Sequence, residues 1–353
     1  MLHFIEKLKK IHIPFISSLN VYFDLGTSNT RIAIKNKGVI LREPSYLGYN
    51  SKIKEYIFFG TEAKIILGKT PDFITIVKPV VNGILSDFDA EVALIEYFTK
   101  KSIYPYMSQY HFIKPVIRAF TSVPSISTEI ERKAVEEALE KAGCSQVYVL
   151  EKPIATAAGC GFDIFSHTPN LVADLGGGLI ELSIVSGGGI ITQKTLRFGG
   201  EHMNKLIANY TYLKHGVVLG EKTCEELKIN LLRFNKDEET MTVRGKSLET
   251  GLPKSIHMKT SDIKEALLTT FNQIVDALKE LIELSPPEIA DDVFENGLTI
   301  SGALCEAPGI DTFFSQELKI PVTITEHYAD TTIYGLMNID KNPEHLFKLF
   351  GYK

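Results

Sequence analysis

Two stretches of this chain, 150 residues apart, are laid out alike. "VYFDLGTSNTRIAIKNKGVIL" covers residues 21–41 and "VADLGGGLIELSIVSGGGIIT" covers 172–192. In each, an apolar strand ends in Asp-Leu-Gly, at Asp24 or Asp174. A small-residue turn follows, then a β-branched strand, a second glycine-bearing turn and a third strand. One such unit carries little information. Two with aligned aspartates imply a duplicated fold whose hairpins face a common ligand. Two ordinary tight hairpins are the competing reading.

The chemistry suited to that arrangement is phosphate binding. Backbone N–H groups of tight Gly/Ser/Thr turns converge on anions. A carboxylate at the end of each preceding strand suits Mg2+, which prefers carboxylate, water and phosphate oxygens. Between the hairpins the pattern alternates strand and helix: a strand near 116–123, a helix from about 128 to 142 and a strand at 146–150. Thr128 and Glu131 are spaced for a capping box, Gly143 is a helix stop, and a small-residue helix starts at Pro153. Leu267, Phe271, Ile274, Leu278 and Leu281 line one face of a long helix at 262–284, which Pro286 and Pro287 end. After it, residues 297–325 read as strand, Gly302 turn, helix and strand.

A length of 353 residues calls for two domains or a composite α/β fold, and the net charge of −5 argues against a nucleic-acid partner. Cys144, Cys160, Cys224 and Cys305 are far apart with no CxxC spacing, as expected of reduced thiols in a cytosol. No apolar run is long enough to cross a membrane. Leu2, Ile5, Leu8 and Ile11 recur at helical spacing beside Phe4, with Lys7, Lys9 and Lys10 between them and Pro14 beyond. Two readings stay open for residues 2–16: an interfacial helix, or a helix packed on the body.

The chain resembles the MreB family of bacterial actins, within the actin, Hsp70 and sugar-kinase superfamily. The residues that carry the likeness are "DLGTSNT" (24–30), "GVILREPS" (38–45), "GTEAKIILGKTP" (60–71) and "KPVVNGILSDF" (78–88). "TSVPSISTEIERKAVEEALEKAG", "GLPKSIHMK" (251–259) and "SPPEI" (285–289) extend it in the family's order. The likeness spans about residues 20–335. It implies an actin-like ATPase fold of two lobes, each with a ribonuclease-H-like large subdomain and a small one, and nucleotide in the central cleft. The implied subdomains are 20–45, 88–166 and 328–353 (IA), 46–87 (IB), 167–199 and 264–327 (IIA) and 200–263 (IIB), after an amphipathic segment 1–19.

By motif, the resemblance gives phosphate contacts to Gly26, Thr27, Ser28 and Asn29 and to Gly176, Gly177 and Gly178. Asp24 and Asp174 would serve Mg2+, while Glu225 and Lys228 would contact the nucleoside of ATP or ADP with Gly302 opposite. Glu225 and Lys228 also fit a surface ion pair. The chain departs from the family where the attacking water is handled. The usual Gly-Gly-Gly-Thr-Thr-Glu is Gly178-Leu179-Ile180-Glu181 here, and the usual Glu-Glu-Pro is Glu151-Lys152-Pro153. An ammonium has donors and no acceptor, and leucine has neither, so Lys152 and Leu179 cannot orient a water as general bases do. Low hydrolytic activity is therefore expected, unless Glu151 takes over. A third departure, Gly302-Ala303-Leu304 where the family has three glycines, adds side chains that would narrow the nucleoside wall.

The implied role is a divergent paralogue that polymerises head to tail with itself, or with related bacterial actins, into filaments for cell shape or motility. Peripheral attachment at the inner face of the cell membrane would use residues 2–16 and the apolar stretch 103–112 (Ile103, Tyr104, Tyr106, Met107, Tyr110, Phe112), which equally suits packing inside the protein. The alternatives are a fully active ATPase filament and, less favoured by the motif order, a metabolic kinase of the same superfold.

Overall fold

The computed structural model describes residues 18–107 and 115–350. They divide into two compact units. The first holds the residues up to Ile66, Thr70–Glu151 and those from Ile339 onward; the second holds Leu67–Lys69 and Lys152–Asn338. The division thus falls between Glu151 and Lys152, which are neighbours in the chain.

The first unit is built on strands β1 (Ser18–Leu25), β2 (Asn29–Ile34), β3 (Gly38–Pro44), β4 (Val116–Val123) and β5 (Gln146–Glu151), in the order β5-β4-β1-β2-β3. β1, β2 and β3 pair antiparallel, while β4 and β5 join parallel to β1. β1 is buried on both faces, which is why it reads as a near-continuous apolar run. Val21 and Phe23 face a core shared with Ile32, Ile34, Leu94, Ile95 and Phe98. The last three come from helix α1 (Phe88–Ser102), started by Asp87, whose carboxylate accepts from the backbone N–H of Ala90 at 3.0 Å. Helix α2 (Glu129–Lys141) opens with the expected capping box: Glu131 N–H donates to Thr128 Oγ1 at 3.3 Å, and Thr128 N–H to Glu131 Oε2 at 2.7 Å.

Two buried acids stand out in this unit. Asp340 accepts from Asn20 Nδ2 at 2.8 Å, from the Tyr22 hydroxyl at 2.5 Å and from Lys35 Nζ at 3.0 Å, tying the late segment to β1. Burial, and then this hydrogen bond, push the Tyr22 hydroxyl's pKa upward. Glu91 on α1 is 1% exposed, and neither of its oxygens has a hydrogen-bonding partner among the described residues. Burial pushes its carboxyl up to about 8.

The second unit repeats the first. After helix α3 (Lys152–Gly159) come β6 (Asn170–Leu175), β7 (Ile180–Ser186), β8 (Gly189–Leu196), β9 (Leu298–Ser301) and β10 (Val322–Ile324), in the order β8-β7-β6-β9-β10. Again the three consecutive strands are antiparallel and the last two join in parallel. The registers coincide under a shift of 150: Val21 pairs with Ile34 and Leu171 with Ile184, Leu25 with Thr30 and Leu175 with Ile180. The repeat seen in the sequence is therefore a repeat of sheet topology. Helix α6 (Thr260–Glu283) packs on the sheet, and helices α4 (Gly200–His215) and α5 (Glu221–Leu231) pack with each other and against α6. Leu267, Phe271, Ile274 and Leu278 of α6 pack in a core with Leu171, Ala173, Ile180 and Leu182. The prolines after α6 do more than end it, because Pro287 opens the helix Pro287–Asn296.

Two small antiparallel sheets lie in the stretches expected to form small subdomains. Leu47–Asn50 pairs with Glu55–Phe59 and Ile74–Val77, and Thr240–Ser247 pairs with Val217–Val218 and Pro253–Lys259. Among the described residues no helix is long and apolar enough to cross a membrane. For part of the 103–112 stretch the packing alternative holds. Ile103 is fully buried and Met107 is 8% exposed, both in the core under β1, while Tyr104 is exposed. Tyr110, Phe112 and residues 2–16 lie outside the described residues.

Candidate functional site

In the first unit the turn between β1 and β2 carries Gly26, Thr27, Ser28 and Asn29. A Cβ on Gly26 would lie 2.6 Å from the carbonyl oxygen of Asn29, so only glycine closes the turn without a shift. Ser45 braces it, donating from Oγ to the Gly26 carbonyl at 2.7 Å and from its N–H to the Ser28 carbonyl at 3.1 Å. Thr27 is buried, and its hydroxyl oxygen accepts from Gly83 N–H at 2.8 Å. Ser28 and Asn29 are half-buried. Asp24 is 6% exposed and sits across the ladder from Arg31, whose guanidinium approaches its carboxylate at 3.1 Å.

The second unit makes the matching turn with Gly176, Gly177, Gly178 and Leu179. Gly176 N–H donates to the Leu179 carbonyl at 3.1 Å, and a Cβ on Gly176 would meet that carbonyl at 2.7 Å. The start of α4 seats directly on this turn: Gly200 N–H donates to the Gly176 carbonyl at 3.1 Å and Glu201 N–H to the Gly177 carbonyl at 2.9 Å. Gly199 is required for that approach, because its Cβ would stand 2.5 Å from the Gly176 oxygen. Lys228, one turn after Glu225 on α5, donates to the Gly200 carbonyl at 2.6 Å. This brings the expected nucleoside-side lysine next to the glycine turn.

Asp174, 7% exposed, ends β6 opposite Glu181, a second buried carboxylate in direct cross-strand register. Like charges so placed repel. Two groups offset this on Asp174: Ser301 Oγ donates to one oxygen at 3.1 Å, and Lys152 Nζ reaches the other at 2.6 Å. Lys152 is the first residue of α3, whose other residues are all buried. Leu179 is 6% exposed. Gly302, with φ +95°, follows β9, and its N–H donates to the Tyr328 carbonyl at 3.1 Å. A Cβ there would stand 2.4 Å from the Leu175 carbonyl. Leu304, expected to narrow the nucleoside wall, is instead buried in the second unit's core, leaving Ala303 as the exposed addition. Burial, reinforced by the negative charge of Asp174, pushes the Cys160 thiol up to about 12, so it is no nucleophile near neutral pH.

The family model for MreB/Mbl protein matches residues 18–348. The chain belongs to the MreB/Mbl family. It is 33% identical to the cell shape-determining protein Mbl of Bacillus subtilis over 92% of this chain and 98% of that one. Its fold matches MreB5 of Spiroplasma citri solved with AMPPNP, with a TM-score of 0.86, 28% identity and coverage of 94% and 98%. The same protein bound to ADP gives 0.85, 29%, 92% and 96%. A double helical filament of MamK is similar in fold alone, at a TM-score of 0.78 and 18% identity over 92% and 99%. These likenesses establish a bacterial actin with the two-lobed actin-like fold.

Each glycine turn, within its own unit, is tight enough to leave no room for a Cβ at Gly26 or Gly176, a geometry of the kind that turns backbone N–H groups toward anions. The aspartates fit Mg2+ poorly. Within its own unit each already faces a protein cation, Arg31 on Asp24 and Lys152 on Asp174. A dication brought to either carboxylate would meet like charge at close range. Arg31 escaped the sequence reading although its signal was present, since a turn closed by Leu25 and Thr30 sets residue 31 across from residue 24. Ser301 and Gly199 carried no local signal.

Proposed function

We propose that this MreB/Mbl-family chain is a nucleotide-binding subunit of a cytoskeletal filament, with ATP acting mainly as a structural ligand and assembly switch and turned over slowly or not at all. Nucleotide binding is supported by the paired glycine turns and by the MreB5 relative solved with ADP and with AMPPNP. Head-to-tail self-association is supported by the family and by the filament of the fold relative MamK. Joint filaments with related bacterial actins belong to the same reading. So does a peripheral place at the inner face of the cell membrane, reached through residues 2–16 and the aromatic residues after Met107.

The slow turnover rests on one observation, the Lys152 ammonium 2.6 Å from Asp174. Phosphoryl transfer to water depends on a group that positions the attacking oxygen. Lys152 has no acceptor for the water's proton and is committed to a carboxylate. Leu179 offers no hydrogen bond at the second position. Phosphates and base remain served by the turns and by Glu225, Lys228 and Gly302.

Phosphate release from ATP, measured alongside pelleting of filaments with and without anionic vesicles, tests this reading. Lys152→Glu combined with Leu179→Thr should raise release by about 10²-fold or more while the unmodified chain still assembles. Rapid release from the unmodified chain, unaffected by the double change, would establish a fully active ATPase and point to Glu151 as the water-positioning residue.

A further inference from the structure

We propose that Lys152 stands in for the divalent cation of the nucleotide site, so that this chain binds ATP and its analogues without Mg2+. The inference rests on the nucleotide reading above and adds to it the nature of the counter-charge.

The argument starts from charge. Asp174 and Glu181 face each other across the β6–β7 ladder, both almost wholly buried. Such a pair, placed beside a turn that gathers a polyphosphate, needs positive charge. A dication is one source; in this chain helix α3 supplies another. Lys152 is the first residue of that helix, where the backbone dipole already presents positive charge and a cation is disfavoured. Its placement there is offset by the 2.6 Å contact with Asp174. The ammonium is not a loose surface group: its side chain is 22% exposed and that of Asp174 is 10% exposed. The other oxygen of Asp174 is taken by the Ser301 hydroxyl.

The first unit repeats the device by a different route. Asp24, at the equivalent register position, is neutralised at 3.1 Å by Arg31 from the facing strand. A guanidinium is a strong donor to phosphate oxygens. Each aspartate of the duplicated fold therefore has its own cation, one from a strand and one from a helix. A monovalent cation on a side chain binds phosphate as a point charge and costs no dehydration of a tightly hydrated ion.

The experiment is calorimetric titration of the full chain with AMPPNP, in Mg2+ and in excess EDTA. The unmodified chain should bind with affinities within about threefold of each other in the two buffers, because its counter-charge is covalently attached. Lys152→Gln should bind at least about tenfold tighter with Mg2+ than with EDTA, since the freed carboxylate then offers the ion a ligand. Lys152→Arg, which keeps the charge, should stay indifferent to Mg2+, a rescue that a merely structural lysine would not show. Thermal unfolding of both variants checks that they fold.

Loss of about tenfold or more in EDTA for the unmodified chain would overturn the inference and leave nucleotide binding intact. Equal indifference of Lys152→Gln would overturn the assignment to Lys152. Absence of binding in both buffers would overturn the nucleotide reading and this inference with it.

Discussion

Replacing Glu91 by Gln separates the electrostatic cost of a buried acid from everything else in the first unit. Glu91 lies on α1, 1% exposed, with neither oxygen hydrogen-bonded among the described residues. Burial raises its carboxyl from the ordinary 4.5 to about 8. In the unfolded chain the group gives up its proton near 4.5, while in the fold it holds it up to about 8, so the native state binds more protons between those values. Stability is therefore intact below the lower value and is lost as pH rises through the higher one. With these two values, linkage makes the loss about 1 kcal/mol at pH 5, about 3 at pH 7 and about 5 at pH 9. A neutral amide of similar shape has no such dependence, although burying it without partners adds a constant cost of about 1–3 kcal/mol. Urea unfolding of both proteins at several pH values reads the difference as a slope, which that constant does not affect. The variant should grow progressively more stable relative to the unmodified chain as pH rises. Parallel curves for the two proteins between about pH 5 and 9 would refute the reasoning, because Glu91 would then be charged in the fold or solvated there.

Two further substitutions test the frame around the site. Asp340→Ala strips the acceptor from Asn20 and Tyr22 and leaves both polar groups buried. The loss should be about 3 kcal/mol or more in denaturant, little of it from half-exposed Lys35. Gly302→Ala combines φ +95° with a Cβ 2.4 Å from the Leu175 carbonyl. It should cost about 1–3 kcal/mol of backbone strain, with a further loss from the clash, and lower AMPPNP affinity through the shifted end of β9.

The duplication was the most legible part of the fold, because each strand-turn-strand unit is local in sequence and the two aspartates fall at matching positions. The capping box at Thr128 and the apolar stripe of α6 were legible for the same local reason: i, i+3 and i+4 relations lie within one element. Lys152 was read from the sequence as a loss of water positioning, and its partner was not seen. Asp174 is 22 residues further on, and the contact needs α3 to pack against β6 and β7. Ile103 and Met107 stayed ambiguous because a dense apolar run looks the same whether it meets lipid or a core. Composition carries no direction, and only the packing against β1 decides it. Leu304 is the same case, read as an obstruction by its size and found buried beneath the turn it follows.

The Asp340 network has a consequence for synthesis. β1 is among the earliest structured segments to leave the ribosome, yet the acceptor for Asn20 and Tyr22 lies 320 and 318 residues further along the chain. The bulk of the second unit, Lys152–Asn338, is continuous in sequence and precedes that acceptor. Translation therefore completes the second half of the molecule first. β1 cannot bury Asn20 and Tyr22 against their acceptor until Asp340 has been made. The first unit therefore cannot complete the polar network around β1 until the segment that begins at Ile339 has been made.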